Sequence, residues 1–479
     1  MTHLPLTAAE ESADIAIVGA GAAGLFAAIW AGRAAGGADG AAPRIVALDG
    51  ARRLGAKILV AGGGRCNVTH FAVDERDFSG SAPAAIRRVL RRFPIERTIA
   101  FFESEGVPLK REPTGKLFPA SDSARSVLDA LLAAAERARV QIRHPWRVES
   151  IRRLAIDDAE RASEQPGPPR GEPEARAPAA VRRRRLRADL RPVFRLRAED
   201  GRTLLAQRVI LATGGRSLPK SGSDGHGLEM ARALGHSITP HVFPALVPLL
   251  LPEGHFIRSL SGIATEAIVE VRDDSGRRVA SSRGSVLCAH FGLSGPAILD
   301  ISRHLTAARL VSPGAPAQGS SAASPAGGRA ARLTINWMPW TTLEALDESL
   351  RGGIVDSSRT LGQLFRRSLP ERLADALAMQ CGLDRDRSLR QLSREERRRV
   401  ATIACALPLP IEGDRGWTHA EVTAGGVPLA EVDVGTMASR LVDGLFLCGE
   451  ILDVDGRIGG FNFQWAWASG FVAGTAAAS

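Results

Sequence analysis

The chain has no tyrosine, four lysines among 62 basic residues, and five cysteines in 479 residues. Each scarcity excludes something. The cysteines, at 66, 288, 381, 405 and 448, form no C-x-x-C pair, so neither a disulfide framework nor a structural zinc site is expected. A dithiol redox centre is excluded likewise, since no C-x4-C pair lies near a Gly-rich motif. No run of eighteen apolar residues occurs, so no segment is expected to span a membrane. The stretch 1–13 is polar and acidic rather than basic then apolar, unlike a secretory signal, and a cytoplasmic location is expected. The formal charge is +10, but 58 of the basic residues are arginine in a chain equally rich in Ala and Gly. That pattern reads as coding bias, so no nucleic-acid partner is expected from charge alone. Under such pressure the surviving lysines, 57, 110, 116 and 220, mark positions where Arg does not serve.

What the chain does have is glycine in patterned places. Asp14-Ile15-Ala16-Ile17-Val18 runs into Gly19-Ala20-Gly21-Ala22-Ala23-Gly24 and then into Leu25-Phe26-Ala27-Ala28-Ile29. This reads as strand, tight turn and helix, the G-x-G-x-x-G dinucleotide fingerprint, with a pyrophosphate against the helix N-terminus. A second strand, 44–48, ends in Asp49, a carboxylate suited to the hydroxyls of an adenosine ribose. The gap from Gly24 to Asp49 exceeds the usual spacing of about twenty residues; the small-residue stretch 34–42 accounts for the excess.

Further on, Gly62-Gly63-Gly64-Arg65-Cys66-Asn67 places free backbone N–H groups beside a cation and an amide. Helical periodicity covers 83–104 and 123–138, and strands are expected at 146–151 and 192–196. Between those strands, 157–189 is Pro-, Arg- and Glu-rich and reads as a disordered extension. Val209 to Ala212 is a buried strand ending in Thr213-Gly214-Gly215, followed by a helix over about 228–234. From 240 the α/β alternation gives way to alternating strands at 263–271 and 279–288, a low-complexity stretch at 312–329 and several helices up to 406. The theme returns with a strand closing on Gly449-Glu450, then Asp453, Gly459, Gly460, Phe461 and Asn462 before a last helix. The expected division is 1–239 and 419–479 as one nucleotide-binding domain, with 240–418 inserted.

The order of these parts, and the blocks 62–69, 115–119, 212–215, 291–296, 423–427 and 449–467, resemble the aminoacetone-oxidase and bile-acid-reductase-like family of FAD-dependent oxidoreductases. The resemblance implies an α/β fold: a Rossmann-like FAD domain of the glutathione-reductase type carrying an inserted, β-rich and helical domain that covers the flavin. It implies non-covalent FAD, with Gly19, Gly21, Ala22, Ala23 and Gly24 at the pyrophosphate and Asp49 at the ribose. Val148 would offer backbone groups to adenine, and Thr213 and Gly214 would line the nucleotide. Lys57, Gly64, Arg65, Cys66 and Asn67 would approach the ribityl chain and flavin, Gly449 closes the strand beside them, and Glu450 or Asp453 would reach the ribityl. Gly460, Phe461 and Asn462 would present N–H groups to the pyrimidine edge of the ring, where a helix dipole stabilises negative charge. Two departures stand out: Asp49 where Glu is usual, and Phe461 where Tyr is common. His290, before Phe291-Gly292-Leu293-Ser294-Gly295-Pro296, is the acid/base candidate, with Arg65 and Lys116 as groups for an anion or carbonyl. The substrate expected is a small amine, enone or steroid-like molecule, with NAD(P)H visiting transiently or oxygen as redox partner. The alternatives are a flavin-dependent RNA-modifying enzyme and a non-catalytic flavin sensor.

Overall fold

A computed structural model describes residues 11–36, 42–154, 194–311, 331–352 and 359–479. The two stretches read from sequence as low-complexity, 157–189 and 312–329, lie outside the described residues. The chain divides into two compact units, one formed by Met1–Val242 with Thr423–Ser479, the other by Phe243–Val422.

The first unit is built on a sheet whose central strands are parallel. β1 (Ser12–Val18) lies between β2 (Ile45–Leu48) and β7 (Thr203–Leu211), with β6 (Val140–Arg143) beyond β2 and β8 (Leu445–Leu447) beyond β7. Ile15, Ile17, Ile45, Val46, Ile210 and Leu447 are buried, as strands covered on both faces require. Two helices dominate one face: α1 (Ala22–Ala35) and α3 (Phe461–Ala478). α3 carries no charged residue and is apolar around most of its circumference, as a helix buried in the interior must be. Its Gly470 and Gly474 bring the two backbones together. A Cβ at Gly470 would stand 2.7 Å from the Ala23 carbonyl oxygen, and one at Gly474 2.1 Å from that of Ala27.

A three-stranded antiparallel sheet, β3 (Thr69–His70), β5 (Lys116–Pro119) and β4 (Leu109–Arg111), forms a second layer beside α3. Gln464 of α3 anchors it. Its Oε1 accepts from Thr69 Oγ1 (2.8 Å) and Thr98 Oγ1 (2.9 Å), and its Nε2 donates to the Phe93 carbonyl (2.8 Å). All polar atoms of this buried amide are thus satisfied.

The structure differs from the sequence expectation in the helices that precede β5. The periodic stretch 83–104 is two helices, Pro83–Leu90 and Ile95–Ser104, because Pro94 has no N–H to continue the ladder and starts the second helix instead. The Gly-rich loop is preceded by a helix, α2 (Ala56–Gly64), which breaks at Ala61–Gly63.

The second unit is a seven-stranded antiparallel sheet in the order 407–409, 332–336, 264–272, 278–289, 292–294, 249–250, 413–414. Val269, Val271, Val286, Leu333 and Ile335 from its strands share a core with Ile298 and Ile301 of the helix Pro296–Val311 and with Leu373, Leu377 and Val400 from three-turn helices.

Candidate cofactor site

The carboxyl ends of β1, β2 and β7 converge in the first unit, and the Gly-rich turn sits among them. Gly19 has φ +98°, and a Cβ there would stand 2.5 Å from the Ala212 carbonyl oxygen. At Gly24 a Cβ would overlap the Gly19 oxygen at 1.8 Å. These two glycines are required by packing within the turn. Gly21 is different: a Cβ built on it meets nothing within 4 Å. It is the N-cap of α1, and the first-turn N–H groups of Ala22, Ala23 and Gly24 have no side-chain cap. That is the geometry an extended diphosphate needs.

Asp49 ends β2. One carboxylate oxygen accepts from Ala20 N at 2.7 Å and the other from Ala51 N at 2.8 Å, so the short acid clamps the Gly-rich turn while retaining lone pairs for further donors. Val148 is buried at the start of a strand, beside Arg147, whose guanidinium is fixed by Glu199 (2.5 Å) and Asp224 (2.6 Å). Asp224 belongs to the turn 222–225, in which Ser223 packs on Gly214: a Cβ there would stand 2.8 Å from Ser223 Oγ. Thr213 is half-buried against Gly227. The helix beginning at His226 starts two residues earlier than periodicity indicates, and His226 Nε2 faces the Glu149 carbonyl at 2.8 Å.

Lys57 and Glu450, 393 positions apart, form the electrostatic centre of the cluster. Lys57 Nζ donates to Glu450 Oε2 at 2.6 Å and to Ser217 Oγ at 2.8 Å. Glu450 Oε1 accepts from Ser217 Oγ (2.8 Å) and from Thr423 N (2.9 Å), while Thr423 Oγ1 accepts from Arg216 N and Ser217 N. Burial pushes the Glu450 carboxyl up, but the Lys57 charge and these hydrogen bonds outweigh it and hold the carboxyl below its usual range. Gly449 (φ +79°) leaves no room for a side chain, since a Cβ would stand 2.7 Å from the Ala23 side chain.

The GGGRCN turn places its members unequally. Gly62, Gly63, Gly64 and Cys66 all have left-handed backbone, φ +58° to +87°, so the chain coils tightly there. Arg65 is engaged by residues of the 109–122 segment. Its guanidinium pairs with Glu112 (2.6 Å) and lies 4.0 Å from the Phe118 ring centroid. Cys66 is fully buried and burial pushes its thiol up to about 12, so it is a neutral packing residue at ordinary pH. Asn67 is buried with Oδ1 unpartnered, and Ser223 Oγ is buried and unpartnered as well. A buried polar atom without a partner carries a cost of ~1–3 kcal/mol, which a bound ligand with donors and acceptors along its length removes. With the open space at Gly21, these two atoms show that the residues present fit an extended dinucleotide.

At the other end, Gly460 (φ +94°) is the N-cap of α3, again with no side-chain cap. A Cβ on it would stand 2.6 Å from the Thr69 backbone. Asn462 uses its amide to pair both backbone groups of Gly456, at 2.8 and 2.9 Å, so only its N–H remains for a ligand. Phe461 is buried and stacks on His70. The Asp453 carbonyl accepts from Ser81 N at 2.8 Å. His290 lies in the second unit, exposed at the end of strand 278–289, with its ring edge-on to Phe291 and its carbonyl held by Arg258 Nε at 2.8 Å.

Sequence reasoning did not single out Ser217, Ser223, Thr423 as a Glu450 partner, or Gln464. The 4-lysine scarcity flagged Lys57; nothing local flags the others. No group of three or more potential metal ligands occurs among the described residues, and no described helix is long and apolar enough to cross a membrane.

Residues 13–164 and 177–476 match the profile of the HI0933-like protein Rossmann domain. The chain belongs to the HI0933-like family. This HI0933-like protein is therefore an FAD-dependent oxidoreductase with the Rossmann-type cofactor domain described above. It is 32% identical to the 3-dehydro-bile acid delta(4,6)-reductase of Clostridium scindens over 97% of this chain and 98% of that one. It is 30% identical to the ribosomal RNA dihydrouridine synthase of Escherichia coli, covering 96% of both chains, and 25% identical to that of Haemophilus influenzae.

Proposed function

We propose that this HI0933-like protein reduces a carbon–carbon double bond conjugated to a carbonyl, drawing two electrons from NAD(P)H through FAD. The observation that carries the reading is shared by two relatives with unlike substrates. A delta(4,6)-reductase of a 3-dehydro steroid acid and a dihydrouridine synthase each saturate a C=C bond that a carbonyl activates, so hydride enters at the distal carbon and a proton follows at the near one. Bound FAD supplies the two-electron hydride chemistry. The residues supply the rest. Gly21 to Gly24 hold the diphosphate, Asp49 the ribose, and Val148 the adenine. Lys57 and Glu450, locked to each other, would give the middle of the cofactor a fixed donor and acceptor, and the uncapped N–H groups at the start of α3 would stabilise negative charge on the ring. We assign the proton to His290, whose exposed ring has no competing side-chain partner among the described residues.

Anaerobic stopped-flow mixing tests this. NADPH or NADH is expected to bleach the flavin absorbance, and a steroid enone or uridine-containing RNA to restore it with a saturated product; restoration only by oxygen overturns the reading. His290→Ala is expected to lower kcat by about 10²-fold with FAD content unchanged.

A second reading of the substrate, a uridine within RNA, is favoured by the Escherichia coli relative at 96% coverage.

A further inference from the structure

A row of flat groups runs from the surface to the start of α3. The Arg111 guanidinium lies 3.5 Å from the Phe71 ring centroid, the Phe71 and His70 centroids are 5.1 Å apart, and His70 stacks on Phe461 at 4.9 Å with 22° between planes. Phe71 is 46% exposed and Arg111 is exposed beside it. Gly115 makes the row possible, because a Cβ there would meet the His70 ring at 2.5 Å and the Phe71 ring at 2.6 Å. Lys116 pairs with His70 in the β3–β5 register, which sets its amine on the same face as that ring. In this hairpin Lys110 is matched by Asp122 and Arg65 by Glu112, whereas Arg111 and Lys116 have no acidic partner among the described residues.

We propose that the row is a docking track for single-stranded RNA. A base stacks on the Phe71–Arg111 platform, and Arg111 and Lys116 meet the phosphates. The proposal rests on the RNA reading of the substrate. An exposed ring stacked with a cation, with two unmatched positive charges nearby, suits sequence-tolerant base stacking and phosphate contact. A steroid would instead call for a concave apolar pocket, and Phe71 is a single ring standing out from a charged hairpin.

The experiment uses the full chain loaded with FAD and a fluorescein-labelled, uridine-containing 12-nucleotide single-stranded RNA, read by anisotropy over a range of salt. Phe71→Ala is expected to weaken binding by about tenfold or more, and Phe71→Trp to retain it. Lys116→Gln is expected to lower the salt slope by about one. Flavin absorbance and melting temperature, unchanged in each variant, separate these effects from misfolding. The track is overturned if Phe71→Ala and Arg111→Ala bind as the parent does, if the parent shows no salt-sensitive binding, or if NADPH competes for Phe71 and displaces the RNA. RNA held through Phe71 but not reduced leaves the track standing and sinks RNA as substrate. Uridine reduction that ignores Phe71→Ala sinks the track alone.

Discussion

Two sets of helix N-termini in this protein are built differently. In the second unit, the helices Leu361–Arg366 and Arg394–Cys405 open with complete capping boxes, Thr360 with Gln363 and Ser393 with Glu396. In the first unit, α1 and α3 open on Gly21 and Gly460, with no side-chain cap hydrogen bond. A capping box satisfies the free N–H groups internally and adds stability. A glycine start leaves them for something else. Under the proposed placement of FAD, the difference separates helices that hold the fold from two whose uncapped N–H groups are left for the cofactor.

Four substitutions sharpen or break that contrast. The largest effect is expected from Gly21→Asp. Its backbone is ordinary (φ −80°) and the space around it is open, so the fold tolerates the side chain. The carboxylate then stands where a diphosphate charge belongs, and FAD affinity should fall by about 10²–10³-fold, measured by flavin titration with circular dichroism unchanged. Survival of FAD binding would detach α1 from the cofactor. Next is Lys57→Met, which strands the Glu450 carboxylate; a loss of about 3 kcal/mol in chemical denaturation is expected. Its pH dependence carries the sign. Glu450 is held below its unfolded value, so its contribution is present above pH ~4.5 and disappears as pH falls through the lower folded value. Lys57→Met should flatten that acid limb. Gln464→Leu leaves the Thr69 and Thr98 hydroxyls without their buried acceptor, and about 2 kcal/mol of destabilisation is expected. The smallest effect belongs to Ser393→Ala, about 1 kcal/mol with FAD affinity untouched. A change in FAD affinity there would erase the contrast.

How much of this was legible in the sequence divides along chain separation. The G-x-G-x-x-G turn, the strand into Asp49 and the glycines before the last helix are local patterns whose backbone requirement is written in consecutive residues. The Lys57–Glu450–Ser217 cluster joins residues up to 393 positions apart and carries no local signature. Arg65 shows the limit from the other side. Its motif suggested a cation for the ligand, yet Glu112 and Phe118, distant in sequence, claim the guanidinium. Pro94 was visible and still hidden, because apolar spacing on both sides of it runs nearly in phase.

The close approach of Gly470 and Gly474 to Ala23 and Ala27 turns the helix pair into a gauge. Matching steps of four on both helices mean that they run in the same direction, and Gly470 sits level with the first turn of α1. The start of α3 therefore projects eight residues, about 12 Å, beyond that of α1. Since backbones in contact cannot slide, this offset is a fixed length built into the protein. A flavin cofactor that carried only one phosphate, or a shorter chain between ring and phosphate, would reach one mark and miss the other. Under the proposed placement of FAD, selection for the full dinucleotide then follows from rigid spacing.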